Sequence, residues 1–96
     1  MITEDTAHIR LRGRFEFPTH REFRGAVKDA LANPSVRTIA VDLHAVDYMD
    51  SSALGMLLLS RENAQMSGKS IVLKNVVGPI RQTIEIANFQ RLFDIW

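Results

Sequence analysis

The stretch VRTIAVDLHAVDYMDSSALGML, residues 36–57, decides the fold, because the hydrophobic period changes inside it. Its first part, VRTIAVDL, is rich in β-branched residues and almost continuously apolar, which suits a strand buried within a sheet. Beyond residue 52 the apolar side chains recur at helical spacing, so a strand gives way to a helix and HAVDYMD reads as the connection. Asp50, Ser51 and Ser52 then stand at the mouth of that helix. Asp and Ser are preferred there because their oxygens accept the N–H groups that a first helical turn leaves without partners. One such residue is enough for a cap, and three in succession raise the question of a second use.

Upstream, AHIRLRGRF alternates Ile9, Leu11, Gly13 and Phe15 with His8, Arg10, Arg12 and Arg14, the period of a half-buried strand with one wet, basic face. Residues 19–32 space Phe23, Ala26, Val27, Ala30 and Leu31 three or four apart, a helix with Pro18 near its start and Asn-Pro closing it. In the helix over residues 52–66, Leu54, Leu57, Leu58, Arg61 and Gln65 share one side, expected to face the core. Ser52, Met56, Leu59, Asn63 and Met66 share the other, which is adaptable contact surface unless a neighbouring helix covers it. Arg61 and Gln65 are expected to bury only their stems.

Downstream, Gly68 breaks the helix and IVLKNV reads as a third strand. Gly78 and Pro79 open a helix carrying Ile80, Ile84 and Ala87, Asn88 is a plausible stop, and RLFDIW is a short edge strand or a packed tail. Strand and helix alternate three times, which predicts a small α/β domain, a mixed β-sheet with about three packed helices. Residues 1–96 read as one domain without internal repeats or linkers.

Composition excludes several classes of function. A chain of 96 residues has room for one core, and 46% hydrophobic with 24% charged residues is ordinary for a globular protein. Twelve Lys and Arg against eleven Asp and Glu leave a net charge of +1, so no strong field draws the protein to nucleic acid or to an anionic membrane. The absence of cysteine removes disulfides, thiolate catalysis and cysteine-ligated zinc, and fits a reducing compartment. The apolar runs are too short to span a bilayer, so no membrane insertion is expected and the location is read as cytoplasmic. His8, His20 and His44 lack the spacing of metal ligands, and no cofactor is called for. Ser-Gly-Lys-Ser at residues 67–70 is no phosphate loop, because the first glycine of that pattern is missing.

Two uses of the serine pair beyond capping can be weighed. A nucleophile elbow wants G-x-S-x-G, whereas Met49, Asp50, Ala53 and Leu54 surround these serines, which leaves acyl transfer a remote reading. A phosphate has a better rationale. The free N–H groups and partial positive charge of a helix N-terminus hold an anion without unfolding the helix. The phosphate would add roughly −1.5 to −2 charges beside Asp47 and Asp50, which the fold tolerates and a docked partner does not. Both hydroxyls lie within reach of the same helix mouth, so physics alone does not choose between Ser51 and Ser52.

Residues 41–76, VDLHAVDYMDSSALGMLLLSRENAQMSGKSIVLKNV, resemble the core of a STAS domain of the anti-sigma-factor antagonist type. The hallmark of that family is an Asp-Ser-Ser/Thr-Gly-Leu-Gly-like stretch at a strand-to-helix turn. IRLRGRFEF resembles the family's early strand and turn, and VGPIRQTIEIANFQRLFDIW its last helix and the segment after it. The resemblance implies a non-enzymatic protein that binds an anti-sigma factor with serine-kinase activity and thereby regulates transcription. It makes Ser51 the phosphorylated residue, with a PP2C-type phosphatase reversing the modification. Asp50 and Ser52 would shape the site, with Asp47 and Glu16 near it. Met56, Leu59, Asn63 and Met66 are the expected partner-binding residues. Two departures stand out: Ala53 replaces a frequent glycine, and Gly-Arg-Phe-Glu replaces Gly-Glu-Leu-Asp, which loses an acid and gains Arg14. Other readings are a constitutive STAS scaffold in a transport or signalling complex and, remotely, a serine-nucleophile enzyme.

Overall fold

The central strand, Thr38–Met49, is twelve residues long and is flanked by parallel neighbours on both sides. In a computed structural model that describes residues 1–16 and 20–96, the elements run β1 (Ile2–Thr3), β2 (Thr6–Phe15), α1 (His20–Ala32), β3 (Thr38–Met49), α2 (Ser51–Met66), β4 (Ser70–Lys74), α3 (Gly78–Ile86), a 3-10 turn (Phe89–Arg91) and β5 (Asp94–Ile95). The expected helix start at Thr19 and Pro18 lies outside the described residues. The sheet order is β1-β2-β3-β4-β5, with only β1 antiparallel to its neighbour. This is the mixed sheet with three helices that the alternation of periods predicts.

Strands laid down in one direction by right-handed crossovers place their helices on one face of the sheet. A single apolar cluster agrees: it joins Phe23 and Val27 of α1, Leu57 and Ala64 of α2, and Ile80 and Ile84 of α3 to Ile39, Val41 and Leu43 of β3. The other face carries polar groups. Arg10, Arg12 and Arg14 of β2 are exposed there, as alternation predicts. The Lys74 ammonium lies 2.9 Å from His8 Nδ1, and burial together with the Lys74 charge holds the His8 pKa below its ordinary value.

HAVDYM, residues 44–49, is not a connection, contrary to the sequence reading: it is the second half of β3, and only Asp50 lies between that strand and α2. Arg10 pairs with Asp42 but Arg12 with Ala45, and Gly13 pairs with Val46 but Arg14 with Tyr48. Each shift inserts an extra residue into β3, a bulge that re-aims the side chains after it. Leu43, Val46 and Met49 are buried while the residue pairs between them face solvent, so the inward spacing is three. Neither a strand nor a helix template matches that period. Gly13, opposite the second bulge, has φ of +66°, a conformation glycine adopts without steric cost.

The core face of α2 also differs from the expected one. Its buried residues are Ala53, Leu57, Ser60 and Ala64, while Leu54 and Leu58 are half-buried and Gln65 is exposed. Small side chains at three of four buried positions let the helix lie close to its neighbours. Met56 is half-buried against the core rather than turned outward, whereas Leu59 and Met66 are 49% and 85% exposed. Arg61 does reach past the core: its Nε donates to the Leu92 carbonyl at 2.7 Å and ties α2 to the C-terminal turn. Asn88, in the left-handed region at φ of 59°, follows α3 as a stop, and residues 94–95 form the short edge strand.

Asp42 is the buried acid of the sheet. Its Oδ1 accepts the His44 N–H at 2.9 Å and Asn75 Nδ2 at 3.1 Å, and Arg10 lies 3.8 Å from Oδ2. Burial pushes its pKa up, but these hydrogen bonds and the charges of Lys74 and Arg10 outweigh burial and hold it below the ordinary 3.8. Stability from a depressed carboxyl is present above the unfolded pKa and lost as pH falls through the folded one. Asp42→Asn therefore lowers the urea midpoint at pH 7, and the gap to wild type closes as pH is taken below about 3.8. Ala64→Leu, which overfills the close approach of α2, costs about 1–3 kcal/mol in the same measurement, whereas exposed Gln65→Leu costs less than about 0.5 kcal/mol.

Candidate functional site

Extended backbone ends at Asp50, whose φ of −95° and ψ of 176° turn the chain from β3 into α2. Its Oδ1 accepts the Ala53 N–H at 2.8 Å and the Ser52 hydroxyl at 2.8 Å, and its carbonyl accepts the Leu54 N–H at 3.3 Å. Asp50 is thus the N-cap. The Ala53 N–H first, then the Ser52 hydroxyl, with a smaller contribution from His20, hold its carboxyl below the ordinary aspartate range. The cap is an anion at neutral pH, placed where the helix dipole favours one.

The two serines differ in a way their adjacency conceals. Ser52 spends its hydroxyl proton on Asp50. Ser51 is exposed at the first helical position, and its side chain makes no hydrogen bond among the described residues. Neither serine hydrogen-bonds a histidine there. His20 lies edge-on to Phe15 at 5.5 Å, His8 meets Lys74, and the His44 side chain is exposed.

Around this mouth stand the C-terminal ends of β2 and β3. Asp47 is exposed, and Glu16 is half-buried with one carboxylate oxygen 3.1 Å from Arg14 Nε. The Arg14 guanidinium also lies 4.0 Å from the centre of the Tyr48 ring, and the hydrogen bond to Glu16 raises its pKa further. Tyr48 is a residue that sequence reasoning missed. The signal for it is the register Arg14↔Tyr48, which exists only because of the second bulge.

Three of the four expected partner-binding residues share a groove. Met56, Leu59 and Asn63 line a groove between α1 and α2, together with Arg21, Arg24 and Lys28. Met66, in the last turn of α2, is not part of that lining. Among the described residues no helix is long and apolar enough to cross a membrane, and no group of three His, Asp or Glu is placed to hold a metal.

Residues 1–94 match the family described as "Mlab, STAS domain". The chain is 42% identical over 87 residues to a STAS-domain containing protein of Pseudomonas aeruginosa (strain UCBPP-PA14), covering 91% of this chain and 84% of that protein. It is 32% identical over 74 residues to the anti-sigma F factor antagonist of Lysinibacillus sphaericus, covering 76% of this chain and 63% of the other. Among solved structures, the unphosphorylated anti-sigma factor antagonist SpoIIAA superposes with a TM-score of 0.70 at 22% identity, over 96% and 93% of the two chains. A sulfate transporter family protein from Wolinella succinogenes does so with a TM-score of 0.81 at 13% identity, over 96% and 74%. These two likenesses are of fold.

The capping geometry predicts that Asp50→Ala lowers the thermal midpoint by about 5 °C near neutral pH. Because the Asp50 pKa is depressed by folding, its contribution is present above the unfolded value and fades as pH falls through the folded one. Thermal melts from pH 7 to pH 3 are expected to show the two proteins converging at the acid end.

Proposed function

This chain belongs to the STAS-domain family, and on that footing we propose that it is an anti-sigma-factor antagonist controlled by phosphorylation of Ser51. Unmodified, it binds an anti-sigma factor or partner-switching kinase; phosphorylated on Ser51, it is released. The observation that carries this reading is the division of labour at the helix mouth, where Asp50 and Ser52 are occupied with each other and with the Ala53 N–H while Ser51 is exposed. A kinase can reach that hydroxyl without opening the cap.

The phosphate then sits beside an Asp50 held in its charged form and near Asp47, and adds roughly −1.5 to −2 charges at pH 7. The helix N-terminus tolerates this charge, so the fold persists while a surface docked over the mouth meets new repulsion and a bulky hydrated group. The switch acts through local electrostatics rather than through a conformational change. A PP2C-type phosphatase restores the binding form. On this reading the protein works in the cytoplasm as a regulator of transcription and catalyses nothing itself.

A second reading is a constitutive scaffold subunit in a transport complex, and the fold shared with a sulfate transporter family protein favours it. The two separate on modification and company: the scaffold stays with membrane-complex subunits and carries no Ser51 phosphate in protein isolated from cells.

Calorimetric titration of candidate anti-sigma factors is expected to give Ser51→Ala the wild-type affinity and Ser51→Asp or Ser51→Glu an affinity at least tenfold weaker. Acidic replacements that bind as tightly as wild type would sink the charge switch.

A further inference from the structure

α1 and α2 lie side by side and leave between them a groove of about 910 Å3. Its apolar part comes from both helices: Val27 and Leu31 on α1, Met56 and Leu59 on α2. Val27 is buried and Leu31 and Met56 are half-buried, but Leu59 remains 49% exposed, so apolar surface meets water along the α2 wall. The α1 wall is cationic. Arg21, Arg24 and Lys28 are spaced i, i+3 and i+7, which puts them on one flank, and all three are exposed. The acids of α1, Glu22 and Asp29, fall on a different flank, about 100° round the helix from Arg21. None of the described residues that line the groove is acidic. With a whole-chain charge of only +1, this is segregation of charge onto one wall, not general basicity.

We infer that this groove docks an acidic amphipathic helix of the partner protein, with the helix's apolar stripe against Leu31, Met56 and Leu59 and its carboxylates against Arg21, Arg24 and Lys28. An apolar floor with one charged rim is the helix-in-groove arrangement. The ten residue steps from Arg21 to Leu31 span about 15 Å, room for about three turns. A bilayer surface is flat and reaches only the rim, and nucleic-acid phosphates bring no apolar stripe for the floor.

The groove also runs toward the switch. Ser52, Met56, Leu59 and Asn63 are spaced i, i+4, i+7 and i+11, so the α2 wall continues to the turn that holds Asp50 and Ser51. A phosphate on Ser51 places negative charge at that end of the trough, where an acidic helix is repelled. The inference rests on the partner-binding reading above and adds the chemistry of the partner's docking element.

The test titrates the 15N-labelled protein with a short synthetic helix bearing leucines at i, i+3, i+4 and i+7 and glutamates on its flanks, and with a counterpart carrying lysine for glutamate. Amide shifts are expected to concentrate in α1 and α2 for the glutamate peptide, which binds at least tenfold more tightly than the lysine peptide. R24E/K28E, at two exposed positions that leave the core intact, is expected to reverse that preference. Equal binding of both peptides, or shifts that map elsewhere, overturns the inference. So does adsorption to phosphatidylglycerol vesicles that R24E/K28E abolishes while neither peptide binds. No anti-sigma factor enters this titration, so its failure leaves the Ser51 switch standing. With an anti-sigma factor that binds the wild type, R24E/K28E is expected to weaken affinity at least tenfold. An unchanged affinity overturns the groove, while Ser51→Asp still reports on the switch.

Discussion

A single carboxylate oxygen organises the strand-to-helix turn that carries the candidate site. Asp50 Oδ1 accepts both the Ala53 N–H and the Ser52 hydroxyl at 2.8 Å, and these bonds turn β3 into α2 at a defined residue. Four N–H groups at a helix start have no partner within the helix, and this cap satisfies one of them while placing a charge where the dipole favours it. The same two bonds fix the Asp50 carboxylate and commit the Ser52 hydroxyl proton. What remains at the mouth is Ser51, exposed, beside a fixed negative charge. The structural cap and the proposed phosphorylation site therefore share one turn.

That turn is held by the strand before it. β3 has paired strands on both sides and helices over one face, so its first half has no freedom to slide. The two bulges in its second half change what the strand presents. Without them, strict alternation would set Asp47 and Tyr48 on opposite faces of the sheet; with them, both are exposed and Tyr48 comes opposite Arg14. The cation–π contact follows from that register, and the local Arg14–Glu16 pair, two residues apart along the chain, stands beside it. The loss of an acid and gain of Arg14 relative to the family's usual turn is thus accommodated at the rim of the site.

The helical layer shows how side-chain size decides which positions of α2 pack and which line the groove. Ala53, Ser60 and Ala64 let α2 sit close on the core, and Leu57 supplies the one large buried side chain between them. The larger apolar residues Met56 and Leu59 are left to form a wall of the groove facing α1. A helix whose leucines do not all point inward has an almost featureless apolar moment, and its buried stripe is set by what fits beneath it rather than by what is most hydrophobic.

Much of this architecture was legible from the chain. Runs of β-branched residues, the alternation in β2, the glycine after α2 and the Asp-Ser-Ser stretch locate the elements and the mouth, because each depends on local backbone geometry or on a period that one element carries by itself. The length of β3, the inward stripe of α2, the pairing of Arg14 with Tyr48 and the difference between Ser51 and Ser52 were decided by tertiary structure. Bulges arise from the register between two strands, and burial of a small residue depends on the distance of a neighbouring element. The serines are chemically identical neighbours, and only the direction in which the folded turn sends each hydroxyl commits Ser52 to Asp50 and leaves Ser51 to the surface.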